Sequence, residues 1–259
     1  INRIITIKGN SMYKHIVVLT GAGISAESGL RTFRDQDGLW EEHHIEDVAT
    51  PEGYARDAEL VERFYNSRWE QLHSGTVMPN AAHEALAKLE AEFSGQLLVV
   101  TQNIDNLHER AGSRRLLHMH GELSKGRCPR SRQTFLLREP FGVNNCCTCC
   151  IPAQRLRPHV VWFGEMPLGM DRIHDALDNC DLFIAIGTSG TVYPAAGFVD
   201  TANHHGAQTV EVNLQSPDRH SQFQYHLTGK AGELVPKLVD TILSGKVIGS
   251  DLAESDLKE

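Results

Sequence analysis

An α/β fold built on a parallel sheet is predicted by three observations. Short apolar runs rich in β-branched residues, at 15–20, 97–100, 181–187 and 209–213, read as buried strands of the parallel kind. Each run ends in glycine, hydroxyl or amide groups, the groups found where strands of an open α/β sheet meet a ligand. Between the runs lie segments with helical apolar stripes. The 259 residues, 41% of them hydrophobic, can bury the core of one large α/β unit, or of one core with a smaller insert.

Composition narrows the function classes. A formal net charge of −8 argues against a non-specific nucleic-acid coat, which needs clustered Lys and Arg. No apolar run approaches the roughly 20 residues that span a bilayer, so a soluble chain with no membrane partner is expected. The start lacks the apolar core and small-residue cleavage site of a secretory signal, which makes the cytoplasm the default. Residues 1–11, ahead of Met12, are set aside as an extension. Of the cysteines, Cys128, Cys146, Cys147, Cys149 and Cys150 crowd together while Cys180 stands apart, and without an export signal that crowding suggests metal more than disulfide.

The first strand, His15 to Thr20, runs into Gly21-Ala22-Gly23-Ile24-Ser25-Ala26. Strand followed by Gly-x-Gly-x-x-Ala is a phosphate-cradling turn: small residues admit a pyrophosphate to the backbone, and a helix N-terminus faces it. The segment from Ser28 through Trp40 is irregular and polar with isolated aromatics, and reads as a covering loop over a cofactor. Asp57 to Leu72 is predicted helical, with Leu60, Phe64 and Leu72 as anchors. On it Tyr65 and Arg68 share a face; a phenol beside a guanidinium can receive a carboxylate, but the same spacing also describes a solvated face. Asn80 caps a helix with Ala82, Leu86, Leu89 and Phe93 on one stripe, which packs against the sheet.

Strand 97–100 then delivers Thr101 to Gly121, where Gln102, Asn103 and Asp105 fall in the crevice at a strand end. His118 and His120 follow. Were 116–120 extended, both imidazoles would share one face, so spacing does not say which is a general base near pH 7. Cys128 opens an insert closed by Cys146-Cys147-Thr148-Cys149-Cys150, and thiolate pairs so separated suit a structural zinc ribbon. Ser131 stands where a thiol is expected, and Cys147/Cys150 compete with Cys146/Cys149. Cys128, Cys147 and Cys150 are favoured, with Cys149 as fourth ligand; reduced thiols without metal are the other reading. Arg157 to Gly164 returns to strand character, either as an edge open to an extended peptide or as an internal strand. The last strands end at Gly187-Thr188-Ser189 and Asn213-Leu214, and Gly229-Lys230-Ala231 leads into a final helix. The acidic stretch from Ile248 reads as a frayed tail.

Taken together, Gly21 to Ser25, Arg31 to Arg34, Thr101 to Asp105, His118 to Gly121, Val161 to Glu165, Gly187 to Ser189 and Asn213-Leu214 resemble the sirtuins, most of all bacterial CobB-type NAD-dependent protein deacylases. The resemblance runs from about Met12 to Ser244. It implies a single catalytic unit over 12–259, with a Rossmann-like core (12–31, 75–125, 158–247) and a small helical and zinc-binding domain (32–74, 126–157). It implies that Gly21, Ala22, Gly23 and Ser25 hold the NAD pyrophosphate, with Phe33 and Arg34 closing over the ribose. Gln102, Asn103, Ile104 and Asp105 would line the nicotinamide side, and Gly187, Thr188, Ser189, Asn213, Leu214 and Ala231 the adenosine half. His120 would be the base, with Asn103 beside it. Val161, Phe163, Gly164 and Glu165 would take the substrate peptide, and Tyr65 and Arg68 the distal carboxylate of succinyl- or malonyl-lysine. The reaction so implied removes acetyl and succinyl groups from protein lysines, yielding nicotinamide, O-acyl-ADP-ribose and free lysine. The rival classes are a mono-ADP-ribosyltransferase and a non-enzymatic NAD- or zinc-binding module.

Overall fold

The computed structural model describes residues 12–31, 39–40, 43–215, 221–246 and 248–249. Strand β1 (His15–Thr20) is followed by a 3₁₀ helix, Ala22–Ser28, and a two-residue pair, β2 (Leu39–Trp40) with β3 (His43–His44). Helices α1 (Ile45–Val48), α2 (Pro51–Arg56), α3 (Ala58–His73) and α4 (Ala81–Glu92) lead to β4 (Gln96–Thr101), α5 (Leu107–Ala111), β5 (Leu116–His118) and β6 (Gly121–Arg127). Then come β7 (Thr134–Leu136), β8 (Arg157–Val160), α6 (Met170–Asn179), β9 (Leu182–Ile186), α7 (Phe198–His204), β10 (Gln208–Asn213), β11 (Tyr225–Thr228) and α8 (Ala231–Leu243).

The main sheet has the order β11-β10-β9-β1-β4-β5, with parallel pairing throughout. Alternation along its strands sorts the side chains into two cores. Ile16, Val18, Leu97, Val99, Ile184 and Val212 face α4 and α8, whereas Val17, Leu19, Leu98, Val100, Phe183 and Ala185 face α6 and α7. Burial on both faces is why β1, β4 and β9 carry continuous apolar runs. A third core joins α1 and α3 to the small antiparallel sheet β7-β6-β8 through Val48, Val61, Phe64, Leu123, Leu156 and Trp162.

The local signals act as expected at several ends. Asp57 accepts from Leu60 N at 2.9 Å to start α3, and Asn80 begins α4 in a capping box with His83. The helix expected after the glycine turn is present and is of the 3₁₀ kind, stopped at Gly29 in the left-handed region (φ 89°). Other expectations are corrected. Strand character ends at Val160, and Gly164 (φ 85°) sits in a turn in which Glu165 N donates to the Trp162 carbonyl. Ile248, assigned to the frayed tail, is buried and its carbonyl accepts from Gln208. Among the described residues no helix is long and apolar enough to cross a membrane.

Candidate active site

Strands β1, β4, β9 and β10 bring their C-terminal ends together. The reason for the glycines is visible there. A Cβ on Gly21 would lie 2.7 Å from the Gly187 carbonyl oxygen, and one on Gly23 would lie 2.6 Å from Gly187 Cα. Gly187 itself has φ 61°, so small residues on both sides let the β1 and β9 turns touch. Gly23 N donates to Gly187 O at 2.8 Å across this contact.

The amides of the β4 turn bind onto the same ends. Gln102 Nε2 donates to Thr188 Oγ1 (3.0 Å), and Asn103 Nδ2 donates to Gly21 O (3.1 Å) and Ser25 Oγ (3.2 Å). Ser25 Oγ in turn donates to Asp105 Oδ2 at 3.0 Å. Burial pushes the Asp105 carboxyl up, against the bonds from Leu107 N–H and Ser25 that pull it down. Asn213 Nδ2 donates to Thr188 O at 2.8 Å, which links β10 to the set, and Ser189 and Leu214 lie exposed beside it. Ala231 is buried at the start of α8, where Glu27 Oε1 accepts from Gly232 N at 2.8 Å. Hydroxyls, amides and exposed apolar surface at the ends of parallel strands form a donor set that fits a dinucleotide. Phe33 and Arg34 lie outside the described residues.

The condition under which His118 and His120 would share one face, an extended chain over 116–120, is not met. The strand stops at His118, and Met119 N bonds Thr101 O at 3.0 Å as the chain turns. Each imidazole then serves a different carbonyl. His118 Nδ1 lies 3.0 Å from Asn103 O and its Nε2 2.8 Å from Glu109 Oε1; His120 Nδ1 lies 3.1 Å from Gln102 O. Burial pulls both imidazoles down. For His118 the bond and charge of Glu109 outweigh burial and the net shift is upward; for His120 only the Gln102 carbonyl opposes burial and the net shift is downward. His120 is therefore the imidazole held neutral, with Nε2 as its basic nitrogen.

Tyr65 and Arg68 share the inner face of α3. Tyr65 is fully buried, and its hydroxyl accepts from Trp162 Nε1 at 3.0 Å. Arg68 Nη1 donates to Phe64 O at 2.7 Å and its guanidinium stacks 3.4 Å from the Phe64 ring centre. Arg68 also borders a cleft of about 480 Å³ shared with Arg31, Arg63 and His43. Glu165 turns inward: Oε1 accepts from Arg127 (3.0 Å) and Arg157 (2.8 Å), and Oε2 from Arg157 (2.9 Å) and Trp162 N (2.9 Å). Val161 N and Phe163 N are taken by His120 O and Ala49 O, and Phe163 and Gly164 lie exposed on this segment.

The ambiguity among cysteines disappears in three dimensions. The sulfurs of Cys128, Cys147, Cys149 and Cys150 all lie within 4.8 Å of one another. Ser131 N donates to Cys128 Sγ (3.4 Å) and Gln154 N to Cys147 Sγ (3.2 Å). Cys146 faces away, toward Val143 O. Four converging thiols supported by backbone N–H groups could hold a zinc ion in a closed tetrahedral site. Ser131 Oγ lies 2.9 Å from Cys149 Sγ, outside the thiol set.

Sequence reasoning missed Glu109, Trp162 and Arg157, the partners of His118, Tyr65 and Glu165. Glu109 and Trp162 lie inside motifs quoted above or next to them, but no periodicity joins residue 65 to residue 162.

Known proteins resemble this chain over most of its length. The Sir2 family matches residues 21–194. The chain is 96% identical over 243 residues to a protein of Shewanella oneidensis named NAD-dependent protein deacylase, covering 94% of this chain and 100% of that one. A crystal structure of a Sir2 homolog with NAD superposes with a TM-score of 0.79 at 39% identity, covering 89% of this chain and 90% of the other. A structure described as Sir2 with p53 peptide and NAD+ gives a TM-score of 0.73 at 26% identity, covering 88% and 93%.

Proposed function

This chain belongs to the Sir2 family, and from that premise we propose that it removes acetyl and succinyl groups, and malonyl groups by the same contact, from protein lysines. Its activity is NAD-dependent protein deacylation. Nicotinamide, O-acyl-ADP-ribose and free lysine are the products in this reading. The observation that carries it is His120: a half-buried, neutral imidazole fixed through Nδ1 to Gln102 O, beside an amide that reaches the glycine turn.

NAD, when bound, supplies the glycosidic carbon from which nicotinamide leaves. Asn103 and Asp105 orient that end, and Gly21, Gly23 and Ser25 take the pyrophosphate side. His120 Nε2 would be the group that takes up a proton from the cosubstrate's ribose, with Nδ1 held by Gln102 O. Arg68 supplies a charged donor to a distal carboxylate and Tyr65 shapes the wall beside it. The peptide backbone lies along Phe163 and Gly164. Zinc at Cys128, Cys147, Cys149 and Cys150 would be structural, and cysteines outside any disulfide fit a cytoplasmic protein.

The test is nicotinamide release from NAD with matched acetyl- and succinyl-lysine peptides, in wild type and His120→Ala. Peptide-dependent steady-state release is expected in wild type, and in His120→Ala no more than about one nicotinamide per site. Unchanged turnover in the variant, or label from NAD that ends on protein, overturns the reading.

A further inference from the structure

The segment that carries the amides is laced to the turn after β5 by three successive carbonyls. Gln102 O is bonded by His120 Nδ1, Asn103 O by His118 Nδ1, and Ile104 O by Leu123 N at 3.1, 3.0 and 2.9 Å. Two of these ties are side chains, and only one of those residues has a place in the chemistry above. His118 is the other. Its side chain is 8% exposed, and its second nitrogen is engaged by Glu109 on α5, at 2.8 Å.

We propose that His118 is a positioning residue for the NAD-binding centre: gripped by Glu109, it holds the Asn103 peptide so that the Asn103 carboxamide meets the glycine turn. The inference rests on the reading of Asn103 and His120 given above. The geometry leaves His118 no direct role toward substrate, because both ring nitrogens are committed within the protein. Its leverage comes from where it pulls. Asn103 N donates to Thr101 Oγ1 (3.1 Å), so with His118 on the carbonyl both ends of residue 103 are fixed. The side chain can then reach Gly21 O and Ser25 Oγ without swinging. Small displacements of such a group cost rate more than affinity for a remote part of the substrate. Glu109 makes His118 a donor at both nitrogens, since a carboxylate only accepts. Without that carboxylate's charge the ring is held less firmly in its doubly protonated form, and a neutral ring can carry its single proton on Nε2 and lose the bond to Asn103 O. Glu122 and Lys125, paired at 2.5 Å, flank the same surface from β6.

The test compares His118→Gln and Glu109→Gln with wild type, reading kcat for nicotinamide release and KM for an acetyl-lysine peptide. About a tenfold loss of kcat is expected for His118→Gln, with peptide KM unchanged and an intermediate loss for Glu109→Gln. An unchanged kcat in both variants, or a loss shared equally by kcat and peptide affinity, overturns the proposal. Where His118→Gln does not fold, Glu109→Gln, at a half-exposed carboxylate, decides by the same readout. Asn103→Ala and His120→Ala separate the levels. If they abolish turnover while His118→Gln does not lower it, the positioning role alone fails; if they turn over normally, it falls together with the assignment of the centre.

Discussion

Acid should weaken this protein through two histidines that take no part in the chemistry. His83 on α4 and His108 on α5 are buried and meet edge to face, ring centres 4.9 Å apart. His108 Nε2 shares a hydrogen bond with Thr20 Oγ1 at 3.0 Å, and His83 Nδ1 accepts from Asn80 N at 3.3 Å. Burial holds His83 down to about 4; burial, then the charges of His83 and His118, holds His108 down to about 3. An unfolded histidine titrates near 6.5, so between that value and the folded values the unfolded chain binds the protons. Stability is thus intact above about pH 6.5 and falls as pH drops toward the folded values. At pH 5 each ring costs about 2 kcal/mol, and the pair about 4 kcal/mol, a large share of a typical domain's 5–15 kcal/mol. Both folded values lie below 5, so moving either by a unit changes this loss by only a few tenths of a kcal/mol. His159, pulled down to about 4 by burial and then Arg127, acts in the same direction. His118, whose folded value is raised, works in the opposite one. The assay is urea unfolding at pH 7.5, 6 and 5 for wild type and His108→Leu. The variant should lose about half of the pair's pH-dependent term, about 2 kcal/mol between pH 7.5 and 5, whatever its absolute stability. An equal pH dependence in the two proteins refutes the reasoning.

Further outcomes follow from the other contacts. Arg68→Met should cut desuccinylation far more than deacetylation, and Trp162→Phe, which removes the donor to Tyr65 Oη, should shift the same ratio by a smaller factor; kcat/KM with paired peptides checks both. Cys147→Ser should lower zinc content, measured by elemental analysis, and the melting temperature, whereas Cys146→Ser should leave both unchanged. Gly23→Ala sets a methyl against the backbone of Gly187 and should destabilise by about 1–3 kcal/mol in urea unfolding, with weaker NAD binding.

Strands β1, β4 and β9 were legible because both faces of the main sheet are covered there, so they carry unbroken apolar runs, and β10 was legible from its alternating valines; β11, short and half polar, was not read. The glycine turn was legible as well, although its glycines also serve contact between two strand ends that sequence distance conceals. Whether 116–120 is extended was left open by the sequence, because the turn at Met119 is decided by long-range bonds, to Thr101 O and from Leu168 N. The strand reading at 161–164 failed for a similar reason. There the chain is shaped by Glu165, whose carboxylate gathers two arginines and a backbone N–H.

From the sequence alone come the residue types that any such site requires and the parallel sheet that presents them, since both depend on local pattern and on chemistry carried by each side chain. Only the folded chain decided which histidine stays neutral, which cysteines converge and which carboxylate is turned inward. Those outcomes depend on burial and on partners tens of residues away, such as Glu109 for His118 and Trp162 for Tyr65, and neither burial nor partnership is a property of a residue before the chain closes around it.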